Sequence, residues 1–264
     1  MVKLVITDMD GTLVNSHGES PKDLFHRIHQ LKEKGVRFAV ASGRQYYNLA
    51  KHFGNMIDDI IAIADNGAMI FDYGKRLYMD EIAYEDVKNI VEVLRQRDDI
   101  YVVLCGEKRA YLETRDDGFY QKLLQYYDRA MVVDDLLEAA KEDSICKLAI
   151  FNAESAEKVI YPIVKEFEDR FMLAVSGNLW IDIMRRGVDK GAGVRKIQQL
   201  YGILPEECMA FGDYLNDFEM MQACEYSYAM ANAHPKLKEI CKYEAKSNDE
   251  CGVTEEIVRF FHLD

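Results

Sequence analysis

Lys3-Leu4-Val5-Ile6-Thr7-Asp8-Met9-Asp10-Gly11-Thr12-Leu13 begins as a short apolar, β-branched run and then turns abruptly to two acids, a glycine and a threonine. Such a run reads as a buried strand, and the Asp-Gly that follows reads as the loop that ends it. Working outward, Ser20-Pro21 reads as a helix start, with serine as cap and proline at the first helical position, and Gly35 reads as the end of that helix. Arg37 to Ala41 is a second strand, Tyr46 to Phe53 a helix and Ile60 to Ala64 a third strand. Strands alternating with helices predict right-handed βαβ units, a parallel sheet and an α/β fold class.

Past Asn66-Gly67 the texture changes. Ala68 to Phe71 and Arg76 to Met79 flank Asp72-Tyr73-Gly74, a hairpin signature. An amphipathic helix over Tyr84 to Arg97 follows. Tyr101 to Leu104, Ala110 to Leu112, Ile145 to Phe151, Phe171 to Val175 and Trp180 to Met184 then read as strands separated by helical stretches. The parallel pattern returns with a helix at Lys190 to Tyr201, strands at Cys208 to Phe211 and Tyr226 to Met230, and helices at Asp217 to Ala223, Pro235 to Ile240 and Val253 to Phe261. The expected organisation is one domain built from residues 1–80 and 185–264, interrupted by a second α/β unit at 81–184.

The chain has 264 residues, with 33 Lys and Arg against 46 Asp and Glu, a net charge of −13. At this length roughly three quarters of the extended-chain surface is buried, so the core needs no staples. With 49% hydrophobic and 30% charged residues the composition is that of a folded globular protein. No run approaches the roughly 18 apolar residues of a membrane span, and the first residues lack the pattern of a secretory signal, so the expectation is a cytoplasmic protein. The negative charge disfavours nucleic acid and anionic membranes as partners. Six scattered cysteines form no close pair, and the six histidines, including His26 and His29 on one helix, show no metal-binding spacing.

Each predicted core strand ends in polar residues out of keeping with its run: Asp8-Met9-Asp10-Gly11-Thr12, Ser42-Gly43-Arg44, and Gly212-Asp213-Tyr214-Leu215-Asn216-Asp217. In an open parallel sheet ligands bind beyond the carboxyl ends of the strands, so these three segments are expected to share one crevice. Asp8, Asp10, Asp213 and Asp217 together would repel one another unless a cation intervened, and a magnesium ion, which takes oxygen ligands and substrate phosphate, is the natural remedy. Period two along an extended segment directs Asp8 and Asp10 similarly, so that one could attack while the other handles a proton. Each signal has a plainer counterpart. Ser42 could cap a helix, Asn216 or Asp217 could do the same, Lys190 could be a solvated first-turn lysine, and Arg44 could bind phosphate or only pair with a carboxylate.

Asp8 to Leu13, Ala41 to Arg44, Asp189 to Gly191 and Gly212 to Asp217 resemble, in order and spacing, the four motifs of the haloacid dehalogenase superfamily of phosphohydrolases. Asn66-Gly67-Ala68, Met230-Ala231-Asn232-Ala233 and Gly252-Val253 are similar to marks of its Cof-like branch. The resemblance implies a Rossmann-like parallel-sheet core with an inserted α/β cap that carries specificity. It implies Asp8 as nucleophile, Asp10 as general acid and base, and Ser42 and Lys190 as catalytic partners. Gly11, Thr12, Gly43, Arg44 and Asn216 would stand around the phosphate or substrate, with Thr12 bracing its loop. Magnesium would be held by Asp8, the Asp10 carbonyl and Asp213, with Asp217 orienting that shell. The implied substrate is a small phosphorylated metabolite, foremost a sugar phosphate, with FMN-like phosphates second. A phosphosugar mutase and a non-catalytic phosphometabolite binder are the alternatives, and the oligomeric state is open. Cys105 to Glu107, Tyr111, Asn178 and Trp180 are cap candidates that could equally be core.

Overall fold

The computed structural model describes residues 1–114, 116–124, 127–175 and 178–264. The chain divides into two compact units, Met1–Tyr78 with Asp189–Asp264, and Met79–Val188.

The first unit starts with β1 (Leu4–Asp8), α1 (Leu24–Glu33), β2 (Arg37–Ala41), α2 (Tyr46–Phe53), β3 (Ile61–Ala64), β4 (Met69–Asp72) and β5 (Lys75–Met79). β1 is buried along its whole length, which is why it reads as an uninterrupted apolar run rather than an alternating one. α1 begins later than Ser20-Pro21 predicts. Pro21 instead makes a turn that accepts the Leu24 amide, and the Ser20 hydroxyl bonds the His52 ring 2.9 Å away. Gly35, at φ +76°, lets the chain leave α1 and enter β2. The β4–β5 turn has both Tyr73 and Gly74 at positive φ, the requirement of a tight two-residue hairpin.

The second unit holds α3 (Tyr84–Leu94), β6 (Ile100–Gly106), β7 (Ala110–Leu112), α4 (Asp117–Leu123), β8 (Ala130–Val132), α5 (Leu136–Glu142), β9 (Ile145–Asn152), α6 (Tyr161–Val164), β10 (Phe171–Val175) and β11 (Trp180–Arg185). Its six strands lie in the order β10-β11-β9-β6-β7-β8, antiparallel at every pairing except β7 with β8. Val87, Ile90, Val91 and Leu94 of α3, with Leu136 and Ala140 of α5, pack on Leu104, Leu148, Ile150, Ile181 and Ile183 to form one apolar core.

The chain then returns to the first unit as α7 (Lys190–Tyr201), β12 (Cys208–Gly212), α8 (Phe218–Gln222), β13 (Tyr226–Met230), α9 (Pro235–Lys238), β14 (Tyr243–Ala245) and α10 (Gly252–Phe261). The eight-stranded sheet runs β14-β13-β12-β1-β2-β3-β4-β5, parallel from β14 to β3, with β4 antiparallel on β3. β2 lies on one side of β1 and β12 on the other. Strand order reverses there, the place where a parallel sheet opens a crevice at its carboxyl edge. Among the described residues no helix is long and apolar enough to cross a membrane.

Candidate active site

Asp8 is the last residue of β1 and is 5% exposed. Met9 starts a turn, so the extended alternation expected of the two acids stops at the strand end. Asp10 is exposed, yet both acids line one cavity of about 360 Å³ with Ser42, Gly43, Arg44, Asp213, Tyr214 and Asn216. All of these residues lie in the first unit. A second cavity, about 300 Å³, lies within the second unit and is lined by α3, β6 and the residues after β7, including Arg95, Arg97 and Glu113.

Lys190 sits at the first position of α7, where an ammonium opposes the helix dipole, and it is only 1% exposed. What holds it there is charge: its Nζ lies 2.5 Å from Asp8 Oδ1 and 2.6 Å from Asp217 Oδ1. It is therefore no solvated surface lysine. Burial pulls its pKa down, but the two carboxylates outweigh burial and the net shift is upward. Asp217, fully buried, also accepts the backbone amides of Asp213 and Tyr214 at 3.0 and 3.1 Å through its other oxygen. It makes no side-chain cap to α8. Asp213 accepts the Thr12 hydroxyl at 2.9 Å, so Thr12 serves the acidic cluster in this structure rather than facing the cavity.

Asp8, Asp213 and Asp217 offer carboxylate oxygens all within 4.8 Å of one another. With all three carboxylates ionised, the single ammonium of Lys190 would leave two negative charges uncompensated in a largely buried space. The electrostatic consequence is visible on Asp8, whose pKa is pushed up to about 8, chiefly by burial and then by Asp217 and Asp213 against the opposing pull of Lys190. Asp213 is raised as well, first by burial. An all-oxygen donor set carrying this excess charge fits a hard divalent cation, which would restore neutrality and ionise Asp8.

The second strand end supplies the opposite wall. Ser42 is buried, and its hydroxyl accepts the Arg44 amide at 3.1 Å; Gln45, not Ser42, stands at the cap position of α2. Arg44 extends to Asp10, with Nη2 2.6 Å from Oδ1 and Nε 2.9 Å from Oδ2.

Further residues brace these loops. Asp65 and Asn66, both at left-handed φ, return amides to the Arg44 and Ser42 carbonyls at 3.0 and 2.9 Å, and Asn66 Oδ1 accepts Asn216 Nδ2 at 3.4 Å. Asn-Gly directly after a strand is the signal for that bend. Gly67, at φ +101°, leaves room for α7: a Cβ there would stand 2.2 Å from the Asp189 carbonyl oxygen. Gly11 is similarly placed, at φ +82°, with a Cβ position 2.4 Å from Asp213 Oδ2. Asn232 donates to the Gly11 carbonyl at 2.8 Å, Asn248 to the Val14 carbonyl at 2.9 Å, and the His234 amide to the Asp213 carbonyl at 2.8 Å. A chain segment more than 200 residues away thus pins the loop after β1.

In the second unit, Cys105 and Tyr111 are buried, and the Tyr111 hydroxyl donates to Asp143 at 2.9 Å. Trp180 is half-buried beside Phe151 and Phe119, at ring-centroid separations of 5.0 and 6.1 Å. Asn178 gives its carbonyl to the Ala156 amide, and Glu107 gives its amide to the Ser144 carbonyl.

Comparison with known proteins identifies the family. The haloacid dehalogenase-like hydrolase family matches residues 5–257. The 5-amino-6-(5-phospho-D-ribitylamino)uracil phosphatase YbjI of Escherichia coli K12 is 33% identical over 97% of this chain and 95% of its own. The crystal structure of SMU.1108c from Streptococcus mutans is 31% identical, with a TM-score of 0.83 over the full length of both chains. A structure from Eubacterium rectale, 26% identical, superposes with a TM-score of 0.91 over 98% of this chain and 99% of that one. The chain belongs to the haloacid dehalogenase-like hydrolases and is an enzyme of their phosphatase kind.

Proposed function

We propose that this enzyme is a magnesium-dependent phosphatase that hydrolyses a small phosphorylated metabolite through an aspartyl-phosphate on Asp8. The observation that carries the reading is the buried set of Asp8, Lys190, Asp213 and Asp217 at the point where strand order reverses. Asp8, Asp213 and the Asp10 carbonyl, with Asp217 orienting them, would hold magnesium, which would supply positive charge to the phosphoryl oxygens. An Asp8 oxygen attacks phosphorus in line with the leaving oxygen, and the P–O bond to the alcohol breaks as Asp10 gives that oxygen its proton. Asp10, now a carboxylate, takes a proton from water; the resulting hydroxide attacks phosphorus, the Asp8–phosphate bond breaks, and inorganic phosphate and free Asp8 result. Lys190 holds Asp8 in place and offsets charge on the transferring group, while Ser42 and the Gly43 amide bind phosphoryl oxygens and Asn216 stands beside them.

The substrate class we propose is a sugar or sugar-alcohol phosphate. YbjI is named for a substrate whose phosphate sits on a ribityl chain, a primary alkyl phosphate. We read Met79–Val188 as the unit that sets specificity. The test is phosphate release from a panel of sugar, sugar-alcohol, nucleotide and flavin phosphates, with magnesium and with chelator. The reading expects magnesium-dependent release from an alkyl phosphate and none from Asp8→Asn. Full turnover by Asp8→Asn, or isomerisation of a sugar phosphate without net release, would overturn it.

A further inference from the structure

Arg44 makes three side-chain bonds, and none of them is to the buried cluster. Nε and Nη2 take both oxygens of Asp10 at 2.9 and 2.6 Å, and Nη1 donates to Asn48 Oδ1, one turn into α2, at 2.9 Å. Its backbone is tied on both sides: the amide donates to Ser42 Oγ at 3.1 Å, and the carbonyl accepts the Asp65 amide at 3.0 Å. The pair is poorly placed to stabilise the fold, because the Arg44 and Asp10 side chains are 35% and 53% exposed and pairs that open to water contribute about 0–1 kcal/mol. Its geometry is nevertheless that of a two-pronged fork, which fixes a carboxylate in position and in plane as a lone ammonium cannot.

Given the phosphatase reading above, on which this rests, we propose that Arg44 is the positioning residue for Asp10. It holds the carboxyl group at the cavity wall facing the leaving oxygen, with Asn48 locking the guanidinium. The same fixed carboxylate then faces the water of the second step. Arg44 acts through Asp10 and touches neither phosphorus nor the departing atoms.

The test uses the leaving group. Cleavage of p-nitrophenyl phosphate needs little proton donation, because nitrophenolate leaves unaided, whereas an alkoxide does not. kcat/KM reports the steps up to aspartyl-phosphate formation and is measured for p-nitrophenyl phosphate and for the best alkyl phosphate of the panel. Arg44→Gln is expected to lose on the order of 100-fold on the alkyl phosphate, the range of general acid catalysis, and less than about fivefold on the aryl one, with inhibition by inorganic phosphate little changed. Asn48→Ala, which leaves Arg44 and Asp10 in place, should show the same selectivity at smaller size, so the inference remains testable if Arg44→Gln folds poorly. In an Asp10→Asn background Arg44→Gln should add no further selective loss. Equal losses on both substrates with weakened phosphate inhibition would make Arg44 a phosphate ligand instead, and no loss would make the pair idle; either overturns the inference. Both outcomes are separate from failure of the phosphatase reading, which shows as a wild-type enzyme that releases no phosphate or an Asp8→Asn variant that still does.

Discussion

The two units are built from the same materials, a sheet and helices around an apolar core, yet among the described residues the cluster of three close carboxylates lies in the first. In the first, six strands run parallel, so their carboxyl ends share an edge, and Asp8, Ser42 and Asp213 meet although they are far apart in the chain. In the second, β10, β11, β9 and β6 alternate in direction, so neighbouring strands deliver their ends to opposite edges. Asn152, at the end of β9, makes its side-chain bonds within that unit: to Asp99, and from the amides of Glu154 and Ser155. Strand direction decides whether residues at the ends of strands can converge.

The comparison breaks most visibly at Asp8. Asp8→Asn should lower phosphate release at least about 10³-fold, some 4 kcal/mol of barrier. Asn152→Ala should leave turnover within a few-fold, measured under the same conditions. A comparable loss from both would mean that the chemistry is not confined to the parallel edge.

Next in size is the contrast between a charge core and an apolar one. Lys190→Met leaves Asp8 and Asp217 buried without their cation and should cost about 3–5 kcal/mol by denaturant titration. Ile150→Ala, at a fully buried site of the second unit, should cost about 2–5 kcal/mol for the cavity it leaves. The origins separate in combination with Asp8→Asn: the Lys190 cost should shrink, because one of the stranded charges is gone, and the Ile150 cost should add unchanged.

Magnesium sharpens the same contrast. At about 100 times its dissociation constant a ligand of the native state stabilises by about 2.7 kcal/mol. Magnesium should raise the Tm of the wild type and of Asn152→Ala but not of Asp213→Asn, each compared with chelator.

The smallest effect concerns His52, whose pKa is lowered from the ordinary 6.5 by burial and then by Arg44. A group depressed in the folded state contributes stability that is present above pH 6.5 and is lost as pH falls through its folded pKa. His52→Gln should therefore flatten the stability profile on the acid side and leave it unchanged above pH 7, by thermal melts across the range.

Much of the first unit was legible because a parallel sheet writes itself as uninterrupted apolar runs, each ended by residues that do not belong in it. β2, α2, α7 and β13 stand where the pattern places them. β8 and β14, each three residues long with two of the three side chains exposed, are too short to show a strand pattern. Ser20-Pro21 misled because a serine-proline pair serves a turn as well as a helix start, and only the nearby His52 decides between them. In the site, the acids, Ser42 and Lys190 were legible as residue types at strand and helix ends. The bracing contacts were not: the Met230 to Ala233 stretch marks Asn232 without saying what it touches, and Asn248 is an ordinary loop residue until the fold brings both to the loop after β1.

The sequence alone determined the α/β class, the two-part organisation of the pattern and the identity of the acids, because periodicity and strand-end polarity are local properties of the chain. Only the tertiary structure decided which charges neutralise which. Lys190 became the partner of Asp8 and Asp217, and Arg44 the partner of Asp10, because those distances span up to 182 residues of sequence and exist only once the sheet has closed its strands side by side.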